Sequence, residues 1–210
     1  AGTDVKVDIS GRKAFCDDGD FTQNGSGGNI PAGEVYISPV VGKTEGKIVF
    51  DGSISSTSND MLVKNPVCLQ VENGFITKVY SQGQSPDSLP EKNSEAKKLL
   101  DCIIEAEKSA IQREKEGKIP AGSGEILKRN ARNIGELGIG LNPNARITGN
   151  MLEDEKAFRT CHFAIGQNYD GDANALIHLD CLVKNPTIVA FFKDGSSKTI
   201  LSNGNLECTK

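Results

Sequence analysis

Three short apolar runs in the second half of the chain share one pattern. In Glu136–Leu141 (ELGIGL), the aliphatic Leu137, Ile139 and Leu141 alternate with Glu136 and two glycines. In His162–Gly166 (HFAIG), Phe163 and Ile165 oppose His162. In Ile177–Val183 (IHLDCLV), Ile177, Leu179, Cys181 and Val183 oppose His178 and Asp180. A strand sends alternate side chains to opposite faces, so strict alternation predicts strands. Each run would seat a greasy face in the core and aim a carboxylate or an imidazole the other way.

The same reading extends along the chain. From Ala1 to Tyr80 the pattern is mostly β, with short alternating runs broken at Asp18-Gly19, Asn24-Gly25, Asp51-Gly52 and Asn73-Gly74. Glu34–Ser38 (EVYIS) puts Glu34 and Tyr36 on one face and Val35 and Ile37 on the other. Cys16–Asn29, rich in Asp, Gly and Asn, reads as a loop, and Ser81–Asn93 as a loop or linker. Helical spacing first appears in Glu95–Glu116, through Leu99, Leu100, Ile103, Ile104 and Ile111, with Ser94 placed to cap it. A Pro/Gly break follows at Lys118–Gly124, then a second helix over Glu125–Asn133 and a short one over Gly149–Phe158, with Asn150 placed to cap it. The segment LVKNP occurs at Leu62–Pro66 and again at Leu182–Pro186, each time ahead of an apolar run and an Asn-Gly or Asp-Gly turn. Two similar strand–turn–strand units would account for it, and so would chance. The predicted class is α+β, β-rich with a mixed or antiparallel sheet and one long helix.

Composition narrows this picture. A chain of 210 residues defaults to one domain. Its net charge of -4, without a Lys/Arg cluster, argues against nucleic acid. Its apolar runs are too short to span a membrane, and its start lacks a signal-peptide pattern. Six cysteines without a CxxC pair exclude a zinc ribbon and a thioredoxin motif. At that density reduced thiols in a cytoplasmic protein are expected, with Cys161 and Cys181 as small buried hydrophobes. The chain opens Ala-Gly-Thr-Asp and runs straight into a strand pattern, as expected of a fragment that lacks an N-terminal domain.

The chemistry concentrates around the chain's two histidines. His178-x-Asp180 on a strand projects both side chains together, as two ligands of one ion would, and a structural His–Asp hydrogen bond has the same signature. His162 alone would suit a core histidine, but it stands on the polar face of its run. A plain surface strand would also carry a Glu at 136 or 34, yet the glycines beside Glu136 predict a close approach to the backbone. Glu153-Asp154-Glu155 reads as a solvated helix face. Tyr169 lies in a Gly-flanked turn and suits a hydrogen-bond donor, a phenolate ligand or an anchor. No nucleophile elbow, Walker loop or GxGxxG is present.

Asn29–Pro39 (NIPAGEVYISP), Asn133–Asn168 (NIGELGIGLNPNARITGNMLEDEKAFRTCHFAIGQN) and His178–Asp180 (HLD) together resemble the thermophilic-type metallo-aminopeptidases, the aminopeptidase T and aminopeptidase S family. The resemblance runs from Asn29 to the C-terminus. It implies the C-terminal, metal-binding domain of a two-domain metallopeptidase-like protein. By the same resemblance Glu34, Glu136, His162, Tyr169, His178 and Asp180 are metal ligands, and a further family glutamate corresponds to Glu155. The resemblance also implies two divalent ions; the mixed carboxylate, imidazole and phenol set suits zinc, cobalt or manganese, with Glu136 and Asp180 as candidate bridges, Glu155 as proton acceptor and Tyr169 as ligand or oxyanion donor. Peptides are then the substrates, and a homodimer is allowed. Two readings stand beside it. His162, His178 and Asp180 suit the facial triad of a mononuclear Fe(II) ring-cleaving dioxygenase, and the domain could also bind metal yet be inactive alone.

Overall fold

The computed structural model describes residues 2–207. Cys208, counted among the thiols, lies outside them. In chain order the strands and helices are β1 (Asp4–Val7), β2 (Phe15–Asp17), β3 (Glu34–Ile37), β4 (Thr44–Phe50), β5 (Ser53–Ile54), β6 (Met61–Leu62), β7 (Val67–Glu72), β8 (Phe75–Ser81), α1 (Glu95–Lys115), α2 (Ser123–Asn130), β9 (Ile134–Gly140), α3 (Met151–Asp154), β10 (Thr160–Gly166), β11 (His178–Lys184), β12 (Ile188–Phe191), β13 (Ser197–Ser202) and β14 (Asn205–Leu206). The class is α+β, and the pairings between these strands are antiparallel.

A four-stranded sheet runs in the order β1-β4-β7-β8, and its last hairpin turns at Asn73-Gly74, where both residues take positive φ. That is the backbone an Asn-Gly pair adopts most readily. A seven-stranded sheet runs β2-β3-β9-β10-β11-β5-β6, with the three strands of the alternating runs at its centre. One core joins them. Ile48, Phe50, Leu69 and Ile76 of the smaller sheet meet Phe163, Ile165, Leu179 and Cys181 of the larger. Helix α1 closes the core with Ala96, Leu99, Cys102, Ile103 and Ala106, which recur at helical spacing, and it packs against β7 and β8. Ser94 caps it, its hydroxyl accepting from the Lys97 amide at 3.1 Å.

Several sequence expectations shift. Leu100, Ile104 and Ile111 flank the buried stripe of α1 and are only half-buried. Helix α2 begins two residues before the expected Glu125 and ends at Asn130, whose buried side chain donates to the Asn174 carbonyl at 2.9 Å. The loop expected over Cys16–Asn29 begins with strand β2, which pairs with β3. Both LVKNP copies precede antiparallel hairpins, but in different sheets, and only Asn185 of the two asparagines takes positive φ. Cys161 and Cys181 are buried in the core, as expected, and burial pushes the Cys161 thiol up to about 12.

Candidate metal centre

The centre is built on the face of the large sheet that points away from the shared core. Across β11, β10 and β9 the register aligns Asp180, Ala164 and Glu136 in one row. The neighbouring row holds Leu182, His162, Gly138 and Tyr36. Glu34 sits opposite Gly140. Small residues therefore separate the large ones. Ala164 leaves open the space between two carboxylates. A Cβ at Gly138 would lie 2.0 Å from His162 Nε2, and one at Gly140 would lie 2.2 Å from the Ala157 carbonyl oxygen. The close approach predicted from the glycines of β9 is thus an imidazole ring at one and a neighbouring backbone at the other.

Glu34, Glu136, His162, His178 and Asp180, which span much of the chain, converge here. His162 Nε2 is 2.8 Å from Glu136 Oε1 and 3.4 Å from Glu34 Oε2. His178 Nε2 is 3.5 Å from Asp180 Oδ1 and 3.9 Å from Glu136 Oε2. Two groups follow whose ligand atoms lie within 4.8 Å of one another, Glu34–Glu136–His162 and Glu136–His178–Asp180. Glu136 belongs to both. Its Oε2, together with Asp180 Oδ1, is buried without a hydrogen-bond partner. Buried acceptors without donors are costly, and a cation is the species that would satisfy several at once. His178 Nδ1 lies 2.8 Å from the Gln167 carbonyl, to which it donates, and this leaves Nε2 as the atom facing Asp180 and Glu136.

The charges reinforce one another. Burial opposes a charge on either imidazole. The Glu136 hydrogen bond and the surrounding carboxylates nevertheless raise His162 to about 9, and the Asp180 carboxylate, 3.5 Å away, does the same for His178. Burial of Asp180 disfavours its charge, but the adjacent His178 imidazole outweighs that and holds its carboxyl below the ordinary value. Burial first, then the charges of Asp180 and Glu34, push Glu155 up to about 7.

Glu155 is buried and lines the same cavity, of about 530 Å³, as Glu34, Glu136, His178, Asp180 and Tyr169. The expectation of a solvated Glu153–Glu155 face therefore fails at Asp154 and Glu155, while Glu153 stays partly exposed. Asp154 is fully buried and accepts from the Thr148 amide at 2.7 Å and the Gly149 amide at 2.9 Å, which ties down the turn before α3. Tyr169 stands at the mouth, its ring edge-on to His178 and tilted against Tyr36, each 5.2 Å between centroids. Burial and nearby carboxylates hold its phenol protonated.

Sequence reasoning missed Lys156 and Asp17. The Lys156 side chain is wholly buried, and its ammonium donates to Glu34 Oε1 at 2.7 Å and to Glu155 Oε1. It lies 3.9 Å from Asp17 Oδ2, another buried oxygen without a hydrogen-bond partner. A lysine next to a short acidic helix carries no burial signal, and Asp17 was hidden in the apparent loop.

Two solved structures share this fold. AmpT from Thermus thermophilus matches with a TM-score of 0.62 at 17% identity, over 98% of this chain and 48% of that one. The 2,5-dihydroxypyridine dioxygenase of Pseudomonas putida KT2440 matches with a TM-score of 0.57 at 18% identity, over 84% of this chain and 44% of that one. The chain thus spans about half the length of either. A family model described as NicX, 2,5-dihydroxypyridine 5,6-dioxygenase, matches residues 1–89. That stretch includes Glu34 and Asp17 but stops before the strands that carry Glu136, His162, His178 and Asp180. No curated protein matches. Among the described residues no helix is long and apolar enough to cross a membrane.

Proposed function

We propose that this chain is the metal-binding domain of a dinuclear metallo-aminopeptidase. One observation carries the reading: the two ligand groups share Glu136 and divide the imidazoles between them. A mononuclear facial triad needs His162, His178 and Asp180 around one ion. Neither group contains both histidines, whereas a shared carboxylate between two groups suits a pair of ions. The donor set of carboxylates and imidazoles fits zinc, cobalt or manganese.

In this reading Glu34, Glu136 and His162 would hold one ion, and Glu136, His178 and Asp180 the other. Divalent ions at these residues would supply a Lewis acid for a peptide carbonyl and would acidify water for attack. The rest falls to the side chains. Glu155, with its carboxyl raised to about 7, is matched to accept a proton near neutral pH and return it to the leaving amine. Tyr169, kept as a phenol, donates to the oxyanion that develops on the carbonyl oxygen.

The test is release of N-terminal residues from short peptides by protein loaded with manganese, zinc or cobalt. Activity should vanish with chelator and in His178→Ala. Tyr169→Phe should lower turnover by about 10²–10³ with metal content unchanged; loss of metal instead would make the tyrosine a ligand. Ring cleavage of a dihydroxypyridine that depends on Fe(II) and O₂ would overturn the proposal in favour of the dioxygenase, the reading that the match over residues 1–89 supports.

A further inference from the structure

The most unusual side chain in the molecule is Lys156. Lysine is almost never fully buried unless paired, and here the ammonium sits inside the acidic cluster, with its whole side chain out of solvent. Three carboxylates surround it: Glu34 Oε1 at 2.7 Å, Glu155 Oε1 in direct contact, and Asp17 Oδ2 at 3.9 Å. They come from β3, from the turn after α3 and from β2, so three separate elements converge on one nitrogen. Glu34 is held through one oxygen only, and its other oxygen, Oε2, faces His162. Glu155 is held at Oε1, which also receives the Asn29 side-chain amide at 3.5 Å.

We infer that Lys156 is a positioning residue that acts as a built-in cation, its ammonium filling a three-carboxylate pocket beside the metal centre. The inference rests on the proposed function for the roles of Glu34 and Glu155. Without the charge these three carboxylates would repel one another, and Glu34 would be free to turn away from His162. With it, Glu34 presents a single oxygen to the centre, Glu155 stays on the wall as a base rather than joining as a ligand, and the pocket is closed to a further ion.

Lys156→Ala empties the pocket and Lys156→Met removes the charge while keeping most of the bulk. Titration with Mn²⁺ should show that Lys156→Ala takes up one ion more per chain than the wild type, while Lys156→Met does not. Metal-free Lys156→Ala should gain thermal stability from ethylammonium, which the wild type and Lys156→Met should not. If Lys156→Ala fails to fold alone, refolding with Mn²⁺ or ethylammonium should recover it, and failure with both ions counts against the inference. Equal Mn²⁺ uptake by Lys156→Ala and wild type would overturn it, since a merely structural lysine changes stability without changing ion count. These readouts need no peptidase activity. Wild type that binds Mn²⁺ but cleaves no peptide removes the proposed reaction and leaves the role of Lys156 to be decided by ion uptake.

Discussion

At the scale of single residues, the centre depends on what is absent as much as on what is present. His162 occupies the space that any side chain at 138 would need. Gly138→Ala must therefore displace the imidazole, and metal affinity should fall by about 10–100-fold, the usual cost of disturbing a ligand's setting; isothermal titration with Mn²⁺ measures this, and unchanged affinity would show that His162 is not a ligand. Cys181→Ala is the matched control. Its side chain points into the core from the opposite face, so it should cost stability through a small cavity and leave metal affinity intact. Both directions were legible from alternation alone, because a strand fixes side-chain orientation with period two. Burial was not. The run holding His162 is buried from Thr160 to Gly166 on both faces, since its acidic side is covered by Glu34 and Glu136, with Lys156 bonded to Glu34. Alternation reports which way a side chain points and says nothing about what lies over it.

At the scale of elements, the central strands were readable because each is long and regular, and α1 because it carries a cap and a stripe. Ser94→Ala should cost about 1 kcal/mol in urea unfolding, the usual value for a lost N-cap hydroxyl; a loss near zero would mean that the hydrogen bond to the Lys97 amide contributes nothing net. Short elements were not readable. Three residues in β2 are too few to establish a period, so Asp17 went unrecognised, and α3 is a single turn whose acidic residues look solvated until the chain packs over them. What links strands into a site is register, which the sequence does not print. The row Asp180–Ala164–Glu136 exists only because β9 and β11 both pair with β10 at matching positions. Ala164 is wholly buried between the two carboxylates. Ala164→Leu should force them apart, costing about 1–3 kcal/mol by overpacking and abolishing Mn²⁺ uptake at the shared carboxylate; full uptake would mean that the row is not the floor of the centre.

At the scale of the whole molecule, the proposed metal centre would couple folding, protons and metal. Without metal, the imidazoles of His162 and His178 titrate near 9, above the ordinary value of about 6.5. A base whose folded pKa is raised stabilises the fold while it is protonated. That contribution is complete below about pH 6.5 and is lost as pH rises through 9. Glu155 acts in the same direction at lower pH: its carboxyl is raised from 4.5 to about 7, so its contribution is lost between those values and the histidines carry the loss above pH 7. The metal-free domain should therefore lose melting temperature steadily from pH 6.5 to 9. Metal reverses the trend. An ion binds only neutral imidazole, so each histidine that becomes a ligand must give up its proton, and apparent affinity rises with pH until about 9. Ligand binding to the folded state adds stability in proportion to the logarithm of affinity, so the melting temperature gained from a fixed excess of Mn²⁺ should widen over the same interval in which the metal-free protein weakens. Differential scanning fluorimetry at pH 6.5, 7.5 and 8.5, with and without Mn²⁺, reads both curves. A Mn²⁺ increment that stays constant across this range would mean that binding displaces no proton from either imidazole, and the histidines would then have to be removed from the ligand set.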